Sequence, residues 1–195
     1  MLKERNIAML DVIDPQLAMY GIEIIQKRHT AARFFSQTLN PLYEKVSGIG
    51  SIQLRYSPSW KNQTIDSVVA HLKNKREIDI AFGSTMSGPH RDRYSFVRED
   101  TDFSLKASTG QRRLLALLLR VAQANRFKEM TNVLPILLLD DVLLELDPEK
   151  RRLFISVLPA YDQAFFTFLP EEPYSRYRTA ETMVYSVKQG RLEES

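Results

Sequence analysis

Apolar and polar positions along this chain change rhythm from one stretch to the next. Leu17, Ile22, Ile25, His29, Ala32, Phe35 and Leu39 recur at helical spacing, predicting a long amphipathic helix. Asp14-Pro15 reads as its start, a capping side chain followed by proline in the first turn, and Asn40-Pro41 reads as its stop. Leu2 to Asp11 also has a helical pattern. His29, on the apolar stripe with no second ligand one turn away, reads as a packing histidine, and Arg28 and Arg33 as the solvated face. Gly48-Ile49-Gly50 then breaks the pattern, Ile52 to Tyr56 alternates as a half-exposed strand does, and Asn62 to Lys75 predicts a helix with Ile65, Val68, Val69 and Leu72 inward.

Past residue 82 the rhythm shortens. Tyr94-Ser95-Phe96-Val97 and Phe103-Ser104-Leu105-Lys106 suit two strands of a hairpin around the acidic turn Glu99-Asp100-Thr101-Asp102. A leucine-rich helix over Leu114 to Phe127 follows, then the unbroken apolar run Pro135-Ile136-Leu137-Leu138-Leu139, which reads as a strand buried on both faces. A helix from Pro148 to about Leu158, a strand over Ala164 to Phe168 and a strand over Met183 to Val187 before a polar tail complete the series. Strands alternating with helices predict an α/β sheet. The expected organisation is a mostly helical lobe over 1–82 and an α/β lobe over 83–195.

Composition narrows the class only a little. With 44% hydrophobic and 26% charged residues the chain is expected to be globular rather than disordered. The absence of cysteine excludes a disulfide framework and a thiolate metal site. No apolar run approaches a membrane span and the first residues carry no signal-peptide core, so the expected location is cytoplasmic, with no membrane partner. A net charge of +3 permits a polyanionic partner without requiring one.

Chemistry concentrates at two places. The apolar run ends in Asp140-Asp141, and paired carboxylates at the carboxyl end of a parallel strand suit Mg²⁺ held jointly with phosphates. The same pattern also suits a core strand running into a solvated turn, with Asp147-Pro148 capping the next helix. Ser108-Thr109-Gly110-Gln111 at a helix start can bind an anion through the hydroxyl, the free backbone amides and the helix dipole, or can be no more than a cap.

In order, Ala107-Ser108-Thr109-Gly110-Gln111-Arg112-Arg113, Leu137-Leu138-Leu139-Asp140-Asp141 and Glu145-Leu146-Asp147 resemble the signature, Walker B and D-loop motifs of an ATP-binding-cassette ATPase. With Gly88-Pro89-His90-Arg91-Asp92, and with Asp14-Pro15-Gln16-Leu17-Ala18 and Gly21 near the start, the chain resembles the RecF family of DNA replication and repair proteins over nearly its whole length. The fold implied is the C-terminal half of an ABC/SMC-type ATPase head with a mostly helical arm lobe. By the same resemblance Asp140 would hold Mg²⁺, and Asp141 would orient or activate the attacking water. Ser108, Gly110 and Gln111 would contact the γ-phosphate of ATP bound on a second subunit. Asp147 would stand at that interface and Thr167 at the switch position. ATP would close a head-to-tail homodimer on double-stranded DNA beside single-stranded gaps, and the protein would work with RecR to help load RecA.

This chain departs from the family pattern in three ways. Leu144 replaces the usual D-loop serine, and Phe168 stands where many cassette ATPases have histidine. None of Gly21, Gly48, Gly50, Gly83, Gly88, Gly110 and Gly190 is followed by lysine, so no P-loop is present. The expectation is a C-terminal portion holding half of a composite site, inactive alone. Arg91, Arg93, Arg98, Lys106, Arg112, Arg113, Arg120 and Arg126 make the middle basic, yet they equally suit pairing with nearby carboxylates, and no DNA-contacting residue is singled out. Two other readings stay open. One is a non-catalytic DNA-binding or dimerisation module with an ATPase-like fold. The other is a phosphoacceptor receiver domain, which the absence of an upstream acidic pair and of a lysine beyond Thr167 disfavours.

Overall fold

The computed structural model describes residues 7–143, 146–169 and 174–194. Its longest element is helix α1, Ile7–Ser47, 41 residues with both Pro15 and Pro41 inside it. Neither proline pair therefore bounds the helix as the sequence predicts. The reason is tertiary: a helical proline removes one backbone bond, and packing along the whole length compensates for it. Asp14 is buried and accepts from Arg76 Nη2 at 2.7 Å instead of capping α1. Asn40 likewise turns outward from its own helix, its Oδ1 accepting from the Ile52 N–H at 2.8 Å.

Buried Ala18, Ile25, Ala32, Leu39 and Val46 repeat every seventh residue of α1, beside a second row of Ile22 and Tyr43. A seven-residue repeat keeps one seam facing one side of a helix. The amino-terminal part of that seam packs with Tyr56, Trp60, Val68 and Leu72 in one core. Its carboxyl-terminal part, Leu39, Tyr43 and Val46, packs with Leu114, Leu115, Leu118, Leu139 and Phe154 in another. One helix thus serves both cores.

Strand β1, Gln53–Ser57, pairs antiparallel with β2, Arg93–Arg98, which pairs with the two-residue β3, Thr101–Asp102. Between β1 and β2 lies α2, Ile65–Phe82, capped by Thr64 and closed by left-handed Gly83. Val68 and Leu72 point inward as predicted, but Ile65 is exposed because the helix begins there, one residue past its cap. Phe103–Lys106 is a short helix, α3, and not the second hairpin strand. Asp102 stops the strand by capping that turn, its Oδ1 accepting from the Ser104 N–H at 2.8 Å.

Helix α4, Thr109–Thr131, follows, and then β4, Ile136–Leu139, α5, Pro148–Ile155, and β5, Gln163–Phe166. β4 and β5 pair in parallel, as the alternation of strand and helix predicts. They make a two-stranded sheet, however, and Ile136 and Leu138 of β4 remain 59% and 76% exposed, so β4 is not buried on both faces. The polar residues after the last predicted strand form a strand of their own: β6, Tyr185–Lys188, pairs with β7, Arg191–Glu194. Gln189 and Gly190 turn between them with φ of 49° and 76°, the left-handed pair a tight hairpin requires.

Candidate functional site

Parallel pairing sets the site. With Leu139 opposite Phe166, the residues just beyond the two strands, Asp140, Asp141 and Thr167, are brought to the same sheet end. The Thr167 N–H donates to the Leu139 carbonyl at 3.2 Å, extending the ladder by one step. Its hydroxyl donates to Asp140 Oδ1 at 2.8 Å, with a longer 3.4 Å approach to Asp141 Oδ1, and accepts from the Asp141 N–H at 2.9 Å. Asp141 itself has φ of 51°, in the left-handed region. All three residues are exposed.

Ser108 caps α4 in a capping box. The Gln111 N–H donates to Ser108 Oγ at 3.2 Å, and the Ser108 N–H to Gln111 Oε1 at 2.8 Å. The box leaves the N–H groups of Thr109 and Gly110 and the side-chain NH₂ of Gln111 outside its two bonds. A Cβ at Gly110 would meet nothing within 4 Å, so the glycine keeps an open surface that no packing in this chain demands. Tyr43 anchors the turn from α1, its hydroxyl donating to the Gln111 carbonyl at 3.2 Å.

Asp147 is occupied differently. It caps α5, accepting from the Lys150 N–H at 2.9 Å and from Lys150 Nζ at 2.5 Å, and these bonds hold its carboxyl below the ordinary value of 3.8. Leu144 and Glu145 lie outside the described residues. Phe168 stacks with Tyr177 and Phe166 at ring centroids of 5.8 and 6.3 Å, giving it a packing role beside the strand end.

The segment Gly88 to Asp92 contains an ionic centre that spacing alone does not reveal. The Asp92 side chain is 1% exposed; its Oδ2 accepts from Arg28 Nη1 at 2.8 Å and from the Tyr56 hydroxyl, and its Oδ1 from the Ser59 N–H at 2.8 Å. Arg28 is therefore a buried-carboxylate partner, not part of the solvated face. His29 is exposed on the stripe and packs perpendicular to the Tyr56 ring, with the ring centroids 4.8 Å apart. Burial, with the Asp92 carboxylate beside it, pushes the Tyr56 phenol well above its ordinary 10.0. Trp60 Nε1 donates to Ser87 Oγ at 3.1 Å, and Gly21 and Gly88 both lie against the Trp60 ring. Asp92 stands in a turn-rich stretch, and its three partners, Arg28, Tyr56 and Ser59, come from α1, from β1 and from just beyond β1.

The donor set fits Mg²⁺ shared with phosphates. Among the described residues no three His, Cys, Asp or Glu side chains gather as an all-protein cation site. A magnesium ion held through one carboxylate and substrate phosphates needs no such cage. Among the described residues no helix is long and apolar enough to cross a membrane.

No protein-family model matches the chain. It is 44% identical over 193 residues to the DNA replication and repair protein RecF of Treponema pallidum (strain Nichols), covering 99% of this chain and 55% of that protein. The RecF of Lactobacillus johnsonii is 32% identical, covering 97% of this chain and 53% of that protein, and the RecF of Leptospira interrogans is 30% identical, covering 96% and 52%. The chain thus spans about half the length of the curated relatives it matches. Two solved structures share the fold: the recombination mediator protein RecF with ATP in the RecFOR pathway, at a TM-score of 0.76 with 21% identity over 96% of this chain and 50% of that one, and the corresponding RecF-ATPrS structure, at 0.78 with 21% identity over 99% and 53%. The α/β arrangement agrees with the fold of these structures, and the chain belongs to the RecF family, corresponding to its C-terminal half.

Proposed function

We propose that this chain supplies the signature and carboxylate half of a composite ATP site in a protein of recombinational repair and replication. The observation that carries the reading is the Asp140, Asp141 and Thr167 cluster at the open end of the β4–β5 pair. Asp140 would hold Mg²⁺, which when bound offsets phosphate charge. Asp141 orients the attacking water and takes up its proton on a carboxylate oxygen. The Ser108 hydroxyl, the Gly110 backbone and the Gln111 amide receive the terminal phosphate of ATP held by a second subunit. Closure of that head-to-tail dimer grips double-stranded DNA next to single-stranded gaps, where RecR joins it and RecA is loaded, in the cytoplasm.

Half a site needs its other half. A two-stranded sheet with Leu138, Ile136 and Phe165 at 76%, 59% and 51% exposure is poorly stable by itself. In the proposed assembly the P-loop part covers this face. Joining this chain to the amino-terminal part of the Treponema pallidum relative tests the reading. ATP should then convert the joined protein from monomer to dimer by light scattering and support hydrolysis that Asp141→Asn abolishes. Turnover unaffected by Asp141→Asn would refute it.

A non-catalytic DNA-binding or dimerisation module is favoured by two particular observations. Asp147 is engaged by Lys150, and Phe168 is taken up in ring packing. The same joined protein separates the two readings: ATP-driven dimerisation without any turnover would support the module.

A further inference from the structure

We propose that Thr167 is a positioning residue that sets the geometry of both carboxylates, rather than a contact to nucleotide. The inference rests on the reading of Asp140 and Asp141 as the hydrolytic pair. A threonine hydroxyl has one proton to donate and lone pairs to accept with. Here the proton goes to Asp140 Oδ1 at 2.8 Å and a lone pair receives the Asp141 N–H at 2.9 Å, so the group is committed inside the chain. What it holds is a backbone in an uncommon state. Asp141 has φ of 51°, a conformation that non-glycine residues keep only where surroundings enforce it.

The enforcing contact comes from the neighbouring strand. Thr167 is fixed by its own N–H on the Leu139 carbonyl at 3.2 Å, one residue before the carboxylates begin. The left-handed step at Asp141 turns the chain out of β4 immediately after Asp140, and the Thr167 bond to the Asp141 N–H closes that step. One hydroxyl therefore fixes the direction of Asp140 through its side chain and of Asp141 through its backbone. Valine has the same shape as threonine and can do neither. Serine keeps the hydroxyl and can do both.

The experiment has two parts. In the ¹⁵N-labelled protein joined to a P-loop part, Asp141 amide exchange should be about tenfold faster in Thr167→Val than in wild type, and near wild type in Thr167→Ser. Equal exchange in wild type and Thr167→Val overturns the proposal. In the protein joined to a P-loop part, Thr167→Val should lower kcat about tenfold or more with KM for ATP unchanged, and Thr167→Ser should restore it. A raised KM with unchanged kcat would mean that Thr167 touches nucleotide, and it overturns the positioning role. Normal turnover in Thr167→Val with none in Asp141→Asn overturns the positioning role alone and leaves the site reading standing. Turnover that survives Asp141→Asn removes the reading on which both depend.

Discussion

Arg28, in the middle of α1, donates to Asp92 across 64 residues of sequence, at 2.8 Å from Nη1 to Oδ2. The Asp92 side chain is 1% exposed and the Arg28 side chain 35%, so the carboxylate is the buried member of the pair. A buried carboxylate that loses its cation keeps the desolvation cost without the compensation. Arg28→Ala should lower the stability to urea by about 2 kcal/mol, and Asp92→Ala, which also orphans Tyr56 and the Ser59 N–H, should lower it further. Equal midpoints for wild type and Arg28→Ala in urea titrations would show that the pair adds nothing.

Gly21 is a packing requirement rather than a turn. A Cβ there would run into Cζ3 of the Trp60 ring, inside any permissible contact. Gly21→Ala should therefore destabilise by about 1–3 kcal/mol by overpacking. Trp60 is the one tryptophan of the chain, so its fluorescence reports the displacement directly. An unchanged spectrum and unchanged stability would contradict the close approach.

Gly110 should behave in the opposite way. Nothing stands within 4 Å of a Cβ at this position, and alanine suits a helix better than glycine. Gly110→Ala should leave the isolated chain as stable or add about 0.5 kcal/mol. In the joined protein the same change should weaken ATP-driven dimerisation at least several-fold if, as proposed, the phosphate on a second subunit comes to this surface, because the added methyl would then stand in its way. Loss of stability in the isolated chain would point instead to a structural demand for glycine.

Tyr56 makes stability depend on pH at the alkaline end. Its folded value lies above 10.0, so the neutral phenol is kept in the folded state while an unfolded chain ionises. The contribution is fully present below 10.0 and is lost as pH rises from there toward the raised folded value. Tyr56→Phe should be less stable than wild type at neutral pH and lose less on going from pH 9 to 11. Chemical denaturation at the two pH values measures this, and parallel losses in both proteins would show that Tyr56 titrates normally.

Local order along the chain determined a good deal of this protein by itself. The Ser108 cap, the helix behind it, the parallel pairing of the two apolar strands and the placing of Asp140 and Asp141 at a strand end follow from short-range pattern and from the alternation of strand and helix, while Thr167 was singled out only through the family resemblance. The runs Ala107 to Arg113, Leu137 to Asp141, Glu145 to Asp147 and Gly88 to Asp92 carry most of the resemblance to the family, because each is contiguous.

What tertiary structure decided is what depends on partners distant in sequence. Asp14-Pro15 and Asn40-Pro41 look like helix boundaries until Arg76 and the Ile52 N–H take up the two polar side chains and let α1 continue through both prolines. Phe103 to Lys106 has a strand's alternation, but the Asp102 cap turns it helical. The solvent-facing appearance of Arg28 disappears once Asp92 is brought to it. The physical reason is common to all of these: a capping, pairing or charged side chain states what it needs, and only the folded chain determines which group supplies it.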